Sequence, residues 1–156
     1  MSRSIHYVAY LALLGLLFIN PGVRAQTKMN AVNGTGHTTG TAGTASLSMD
    51  GTAHTATVTV TVVEADTVLE DGESHRMKTR HLFDFGSGDS FTTEEIITMT
   101  PAGTPSMYKM AAVGSVKEGT GAYSTARGQL HLQGDMNMDK SEADWSVKGS
   151  VCNPCN

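Results

Sequence analysis

The chain has 156 residues, a formal net charge of −4 at pH 7 and an aromatic content of only 6%. This length suits a single domain, and the acidic balance argues against nucleic-acid binding, which requires a clustered basic surface. The one basic cluster, Arg76, Lys78 and Arg80, occupies alternate positions, as the solvated face of a β-strand would.

The first 25 residues have the pattern of a signal peptide. Arg3 supplies a basic start, an uncharged and mostly apolar run covers residues 7–19, and small residues precede a cleavage point before Gln26. The run is too short for a stable transmembrane anchor, although a retained anchor is the alternative. We therefore predict a cleaved signal peptide over residues 1–25 and a secreted or periplasmic protein.

Removal of the leader leaves an acidic chain rich in β-forming residues. Two of the 11 basic residues, Arg3 and Arg24, lie in the leader and none of the 15 acidic ones does, so the mature chain has nine basic residues and a formal charge of −6. No part of it shows a sustained helical period, which predicts an all-β protein. Residues 26–44 are polar and glycine-rich, and they predict either a flexible arm or a weak first strand around residues 28–32.

From residue 45 onward, apolar and polar residues alternate in segments that turn signals separate. Asp50-Gly51 and Asp71-Gly72 are hairpin signals, and residues 86–89 and 101–105 are further turns or loops. The predicted strands cover residues 45–50, 52–65, 73–85, 90–100, 107–116, 119–134 and 145–151. Seven or eight strands with short connections predict a sandwich or a closed barrel, and closure removes exposed edges.

The most regular segment runs from Gly119 to Gly134, where a glycine turn is followed by about a dozen residues with a two-residue period. One predicted face carries Ala122, Ser124, Ala126, Gly128, Leu130 and Leu132, and the other carries Tyr123, Thr125, Arg127, Gln129, His131 and Gln133. The segment is therefore predicted to be one long interior strand whose faces meet different environments.

The same segment resembles the G-T-G-x-Y/F-x-x-A-x-G signature of the allene oxide cyclase and dirigent barrel families. The matching residues are Gly119, Gly121, Tyr123, Ala126 and Gly128. A looser similarity extends to residues 81–85, 88–91 and the last strand, about the C-terminal half of the mature chain.

The resemblance implies a single antiparallel, roughly eight-stranded barrel, calycin-like in outline, with a cavity along its axis. We place this barrel domain at residues 45–156. Plant members of such families act on or guide oxidised-lipid and phenoxy-radical chemistry, and some bacterial relatives catalyse cyclisations. The resemblance extends to no particular catalytic residue of this chain.

Two ionisable residues fall on the apolar faces of adjacent predicted strands. His81 lies beside Phe83, and Glu95 follows Phe91 on the next strand. If these faces point inward, burial can shift the pKa of either group and create a general acid or base. A rim position or a satisfied internal hydrogen bond is the alternative.

Tyr123 and Arg127 are the candidate ligand-binding residues, because an arginine flanked by aromatic and polar groups can bind a carboxylate through two hydrogen bonds. The alternative is that this face of the strand simply meets solvent, as one face of an antiparallel sheet commonly does.

Neither the histidines nor the cysteines predict a metal site or a cofactor. The mature chain has five histidines, and no pair shows the short spacing of a metal-binding motif. Cys152 and Cys155 have redox-motif spacing, but they follow a strand, whereas thioredoxin-like chemistry needs this motif at the start of a helix. In an exported protein we predict a local structural disulfide.

These observations favour an exported barrel that binds a small apolar or amphipathic molecule, since methionine-rich and valine-rich strand faces adapt to irregular ligands. One alternative is a cyclase or isomerase that uses His81 or Glu95 as the acid or base and Arg127 to hold an anionic group. Another is a structural or interaction module with a filled barrel. Alternation alone does not decide which strand faces point inward.

Overall fold

A computed structural model describes residues 28–155, which form one closed antiparallel barrel of eight strands. The strands are β1 (Met29–Thr39), β2 (Ala42–Met49), β3 (Thr52–Val68), β4 (His75–Asp84), β5 (Ser90–Pro101), β6 (Met107–Thr120), β7 (Arg127–Asn137) and β8 (Glu142–Cys152). The predicted signal peptide, residues 1–25, lies outside the described residues. Within residues 28–155, no helix is long and apolar enough to cross a membrane.

Each strand pairs with its neighbours in chain order, and β1 closes the barrel against β8 from Met29–Cys152 to Thr39–Glu142. The prediction of an all-β barrel of about eight strands is confirmed. Every consecutive connection is a hairpin, so the strands enclose one interior, and turns gather at its two ends.

The beginning of the barrel lies earlier than predicted. Residues 29–39 are neither a flexible arm nor a short strand, because β1 is 11 residues long and bonds to both β2 and β8. The barrel domain therefore includes residues before Ala45. Glycine and threonine made this segment look loose, and its partner β8 is at the far end of the sequence.

The alternation predicted for the central strands is confirmed, and the structure shows which face of each strand points into the barrel. Phe83 of β4 and Phe91 of β5 are fully buried, whereas Arg80 and Glu94 lie on the outer face, where Arg80 donates a hydrogen bond of 2.7 Å to Glu94. The apolar faces point into the barrel, because closure leaves only the interior for them. β3 runs on beyond Thr59, the last residue that pairs with β2, and Val62 is accordingly exposed.

The predicted strand over residues 119–134 is wrong at both ends. Gly119 and Thr120 finish β6, a 3₁₀ turn covers Gly121–Tyr123, and β7 extends from Arg127 to Asn137. Gly121 has φ +53°, and a Cβ there would approach Asp89 Oδ1 to 2.1 Å, so this turn requires glycine. Because the turn interrupts the two-residue period, Tyr123 lies inside with Ala126 and not on the opposite face.

Candidate ligand-binding site

An aromatic cluster fills the end of the barrel at which the β2–β3, β4–β5 and β6–β7 connections lie. Its members are Phe83, Phe85, Phe91, Tyr123 and Trp145. Phe85 and Tyr123 have ring centroids 4.9 Å apart, and Phe83 and Phe91 are 5.0 Å apart. These spacings belong to well-packed aromatic pairs, so this end is closed by side chains.

The other half of the interior contains a cavity of about 210 Å³. It is lined by Thr38, Gly40, Val60, Val62, Met77, Thr79, His81, Ile97, Met99, Met110, Ala112, Leu132, Met136, Ser141, Ala143 and Trp145. We call it the methionine-lined cavity. Trp145 forms its floor and packs edge-on against Phe83 of the aromatic cluster. The cavity is therefore an apolar chamber above the aromatic cluster.

His81 and Glu95, the predicted acid–base candidates, meet in the wall of this cavity. His81 pairs with Thr93 across β4 and β5, which puts Glu95 on the diagonal. The imidazole Nδ1 lies within ion-pair distance of Glu95 Oε2, and the two side chains are 7% and 0% exposed. The structure thus brings together two residues that the sequence placed on inward faces, and it buries both.

The second carboxylate oxygen of Glu95 is also engaged. The Thr93 hydroxyl donates a hydrogen bond of 2.6 Å to Glu95 Oε1, and Thr93 is fully buried. The carboxylate therefore faces the Thr93 hydroxyl with one oxygen and His81 Nδ1 with the other. Nε2 is then the ring nitrogen left for an occupant of the cavity.

A glycine on the next strand makes room for this arrangement. Gly114 of β6 lies directly opposite Glu95, and a Cβ at Gly114 would come within 2.3 Å of Glu95 Cγ. Real Cβ atoms do not approach a neighbour so closely, so the Glu95 side chain occupies the space that a larger residue would fill. His81 lines the cavity while Glu95 lies behind it and orients the ring.

A second polar group, which includes the exposed Asp66, lies at the open end of the same half. His75 Nδ1 is 2.6 Å from Asp66 Oδ2, and the Tyr108 hydroxyl is 3.5 Å from His75 Nε2. The His75 and Tyr108 rings meet edge to face, with centroids 5.2 Å apart. Sequence reasoning missed this group, since its members come from β3, β4 and β6 and no spacing pattern connects them.

The structure does not bring Tyr123 and Arg127 to one face. Tyr123 is buried in the aromatic cluster, and its hydroxyl donates to Met49 Sδ at 3.8 Å. Burial, with a smaller contribution from the Asp89 charge, raises the pKa of Tyr123. Arg127 is exposed on the outer face, where its guanidinium donates to the Ala126 carbonyl at 2.6 Å. Tyr123 and Arg127 therefore do not share a pocket, as their predicted role in ligand binding would require.

The residues of the family-like motif shape the barrel end instead of lining the cavity. Ala126 is fully buried, and a Cβ at Gly128 would come within 2.1 Å of the Ser150 carbonyl oxygen on β8. Asp89 Oδ1 accepts a hydrogen bond of 2.8 Å from the Ala122 amide, which ties the β6–β7 turn to the β4–β5 turn. The motif closes the aromatic end of the barrel.

Cys152 and Cys155 are disulfide-bonded, with Cα atoms 5.2 Å apart, which confirms the predicted pair. The bond follows the last strand, beside the aromatic end, and the Cys155 amide donates to Thr125 Oγ1 at 3.2 Å. The disulfide thus ties the end of the chain to the β6–β7 connection.

Among residues 28–155, no group of three or more His, Cys, Asp or Glu side chains is placed to hold a metal ion. The sequence predicted methionine-rich strand faces, and the structure places four inward methionines, Met77, Met99, Met110 and Met136, one on each of β4 to β7. The abundance of methionine was visible in the sequence. Its concentration in one half of the barrel was not, although the inward parity of Met77 and Met99 was a usable signal.

Larger hollows lie on the outside of the barrel. One of about 500 Å³ crosses β1, β2 and β8, and exposed residues such as Thr35, His37, Thr44 and Ser146 line it. Solvated polar walls give an apolar ligand little to gain, so the interior cavity is the better candidate site.

Comparisons with protein-family models, curated proteins and solved structures found no match to this chain. The case for function therefore rests on the geometry of the barrel interior.

Proposed function

We propose that this protein is an exported barrel that binds a small amphipathic molecule in the methionine-lined cavity. The observation that carries the proposal is the buried His81–Glu95 pair in the wall of an otherwise apolar chamber. Ligand sites typically combine apolar walls with a few oriented polar groups. The Cys152–Cys155 disulfide supports an oxidising, extracytoplasmic location.

The size of the cavity restricts the ligand. Its volume of about 210 Å³ is below the ~300 Å³ at which typical ligand pockets begin. Apolar cavities of ~150 Å³ do bind benzene. The expected occupant is therefore one ring or a short branched chain with a small substituent, and a long-chain lipid would not fit inside.

The chemistry of the wall suggests the substituent. Nδ1 of His81 faces Glu95, and an imidazole that carries its single proton on that nitrogen presents an acceptor at Nε2. A hydroxyl group would donate to this nitrogen while the apolar body of the ligand lies against Met99 and Ile97. We therefore propose a small phenol or alcohol as the ligand class.

A matched pair of probes tests this proposal. p-Cresol and toluene differ only by the hydroxyl, and calorimetry should show p-cresol binding about 3- to 10-fold more tightly, the equivalent of one hydrogen bond. The double variant His81→Leu with Glu95→Leu replaces the buried pair with apolar groups, a change that commonly leaves folding intact. It should still bind toluene but lose the preference for p-cresol. If neither probe binds the folded wild-type protein, the barrel is a filled structural module and the proposal is wrong.

A second candidate function is a cyclase or isomerase, favoured by the orientation of His81 by Glu95. An oriented histidine on the wall of a largely apolar cavity can move a proton at a bound ligand. Arg127 lies outside the cavity and would not hold an anionic group there, so the substrate would be small and uncharged.

Conversion of a small cyclic β,γ-unsaturated ketone to its conjugated isomer, which needs only proton transfer, tests the second candidate. Glu95→Gln should lower turnover with little effect on the binding of the ketone. Failure of the wild-type protein to exceed the rate in buffer would exclude this chemistry.

We also propose that the chain is a distant relative of the allene oxide cyclase-like barrels. The closed eight-stranded antiparallel barrel and the role of the Gly119–Gly128 segment in closing one end support this proposal. The size of the cavity argues for a smaller ligand than the oxidised lipids of the plant members.

A further inference from the structure

The third strand is longer than one of its neighbours, and the difference leaves part of it with an open side. β2 pairs with β3 only as far as Thr59, whereas β4 pairs with it as far as Val68. Among residues 28–155, no other strand takes the place of β2 beyond that point. Residues 61–68 are therefore paired with a strand on one side alone, and we call this stretch the free edge.

The backbone of the free edge offers hydrogen-bonding groups to a further strand. The Val60 amide donates to the Thr41 carbonyl at 2.8 Å, on the side of β2. Residues two apart in a strand direct their N–H and C=O groups to the same side, so the Val62 amide points past the end of β2 and not toward β4. Unpaired groups of this kind are a template for an added strand.

The side chains of the free edge are also exposed. All eight residues from 61 to 68 are exposed, and three of them are valines. Val62, Val63 and Val68 are 55%, 42% and 54% exposed, although valine is usually buried. An added strand with aliphatic side chains would cover this apolar surface.

The free edge continues into an acidic turn. Residues 61–73 contain no lysine or arginine and five acidic side chains, Glu64, Asp66, Glu70, Asp71 and Glu73. Lys78 Nζ lies 3.6 Å from Glu64, and His75 Nδ1 lies 2.6 Å from Asp66. The three acidic residues of the turn form no ion pair with another residue of the described range 28–155. Charge complementarity therefore favours a basic partner.

We propose that the free edge binds an extended peptide segment in which aliphatic residues alternate with lysine or arginine. The backbone of the segment would pair with β3 as an added strand, a recurring mode of peptide recognition. Its aliphatic side chains would cover the exposed valines, and its cations would lie near the acidic turn. Eight residues of strand extend over about 27 Å, so a segment of about eight residues would fill the edge.

A second copy of this chain is the competing occupant. Antiparallel pairing of two identical edges would bring two acidic segments together, and like charges opposite each other destabilise a sheet. The register of β3 against β4 also shifts between Val62 and Glu64 and between Glu64 and Thr67. Such bulges twist an edge and commonly prevent edge-to-edge pairing of folded sheets, whereas a flexible peptide can follow the twist. The proposal does not rest on the proposed function, because it concerns backbone groups beyond the closed part of the barrel.

Three peptides separate the contributions of backbone and charge. The probe is a fluorescein-labelled octapeptide of four Lys-Val repeats with blocked ends. The first control is the same peptide methylated at every backbone nitrogen, which keeps the charges but removes the N–H donors. The second control consists of four Glu-Val repeats. Fluorescence anisotropy at low ionic strength should show saturable binding of the probe and at least about tenfold weaker binding of each control.

Two variants locate the binding site. Val62→Pro removes an N–H that does not face β4, and proline is tolerated on strand edges, so the protein should fold but bind the probe at least about tenfold more weakly. Glu70→Gln with Glu73→Gln should weaken binding about 3- to 10-fold and reduce its dependence on salt. Val113→Thr and Glu118→Gln change an exposed valine and an exposed acid on β6, away from the free edge, and serve as matched controls. Both should leave the affinity within about twofold, and a cooperative urea transition shows that each variant is folded.

Amide hydrogen exchange distinguishes strand addition from simple charge attraction. The Val62 amide should exchange rapidly in the free protein and slowly when the probe is bound, together with other amides of residues 61–68. Absence of probe binding, equally tight binding of the methylated peptide, or unchanged exchange at Val62 in the complex would overturn the proposal. A dimer that forms without peptide and is lost in Val62→Pro would assign the edge to a second copy, and the proposal would again be wrong.

Discussion

The two halves of the barrel interior are built on the same strands and filled in opposite ways. Along β4, inward positions pass from Met77 through His81 to Phe83, and along β5 they pass from Met99 through Glu95 to Phe91. Rings with few rotamers pack in tilted and edge-to-face pairs and close one half. Long, flexible thioethers line the other half and leave about 210 Å³ between them.

The difference teaches that side-chain type, and not backbone architecture, decides where this barrel is solid and where it is hollow. Aromatic rings bury large areas in fixed geometry, whereas methionine adapts its shape to whatever it contacts. The connections follow the same division, since the aromatic end carries the 3₁₀ turn and the disulfide. We therefore expect stability to depend mainly on the aromatic half and binding on the methionine-lined half.

The largest expected effect is the loss of a ring from the aromatic half. Phe91→Ala should lower the free energy of unfolding by about 3–5 kcal/mol, since it removes a fully buried ring and leaves a void. The matched change Met77→Ala, at a half-buried position beside an existing cavity, should cost less than half as much. Urea unfolding of both variants makes the measurement, and equal losses would contradict the division between the halves.

A smaller effect is expected at the boundary between the halves. Gly114→Ala places a Cβ where Glu95 Cγ lies, and such overpacking should cost about 1–3 kcal/mol in urea unfolding. In a Glu95→Ala background the same glycine substitution should be milder, because the opposing atom is gone. A double-mutant cycle measures this coupling, and additive effects would mean that Gly114 has no role in accommodating Glu95.

Removal of the disulfide should act on the aromatic end alone. Cys152 and Cys155 are only three residues apart in sequence, so the chain-entropy stabilisation is at most about 2 kcal/mol. Reduction of the wild-type protein should lower the unfolding midpoint in urea while the binding of p-cresol is retained. The variant Cys152→Ala with Cys155→Ala serves as the control and should not respond to reductant. Loss of binding on reduction would show that the two ends are coupled.

The smallest effect concerns pH. Burial raises the pKa of Tyr123 in the folded state, so folding favours the neutral phenol. The associated stability is complete below the unfolded value of about 10 and is lost as the pH rises through the higher folded pKa. Tyr123→Phe removes the hydrogen bond to Met49, so the free energy of unfolding at neutral pH should fall by about 1 kcal/mol. The variant should also lack the loss of stability that ionisation of Tyr123 causes at alkaline pH. Tyrosinate absorbance measures the pKa directly, and an ordinary value for Tyr123 would contradict its burial.

Local pattern was sufficient for much of the fold. The two-residue period and the Asp-Gly turns predict the hairpins, and they place His81 and Glu95 on the same faces as Phe83 and Phe91. These signals can be read from the sequence because pleating and hairpin turns depend on neighbouring residues. The position of the disulfide could also be predicted, since its two cysteines are close in sequence.

Other features arise only when distant segments meet. The sequence of β1 taken alone predicts a flexible arm or a weak strand. In the structure it is a regular strand because it forms hydrogen bonds with β8. A 3₁₀ turn interrupts the alternation of inward and outward side chains, so Tyr123 lies in the interior while Arg127 lies outside. After such a break, the sequence pattern alone does not show which alternate residues point inward.

The candidate site is also a feature that arises only when distant segments of the chain meet. The cross-strand register sets Gly114 against Glu95, Thr93 against His81 and Met99 against Met110. The sequence supplied these residue types and the parity of each strand. Closure of the barrel determines which face of each strand points inward, and the register between strands determines which side chains meet. Both depend on hydrogen bonds between segments that are far apart along the chain.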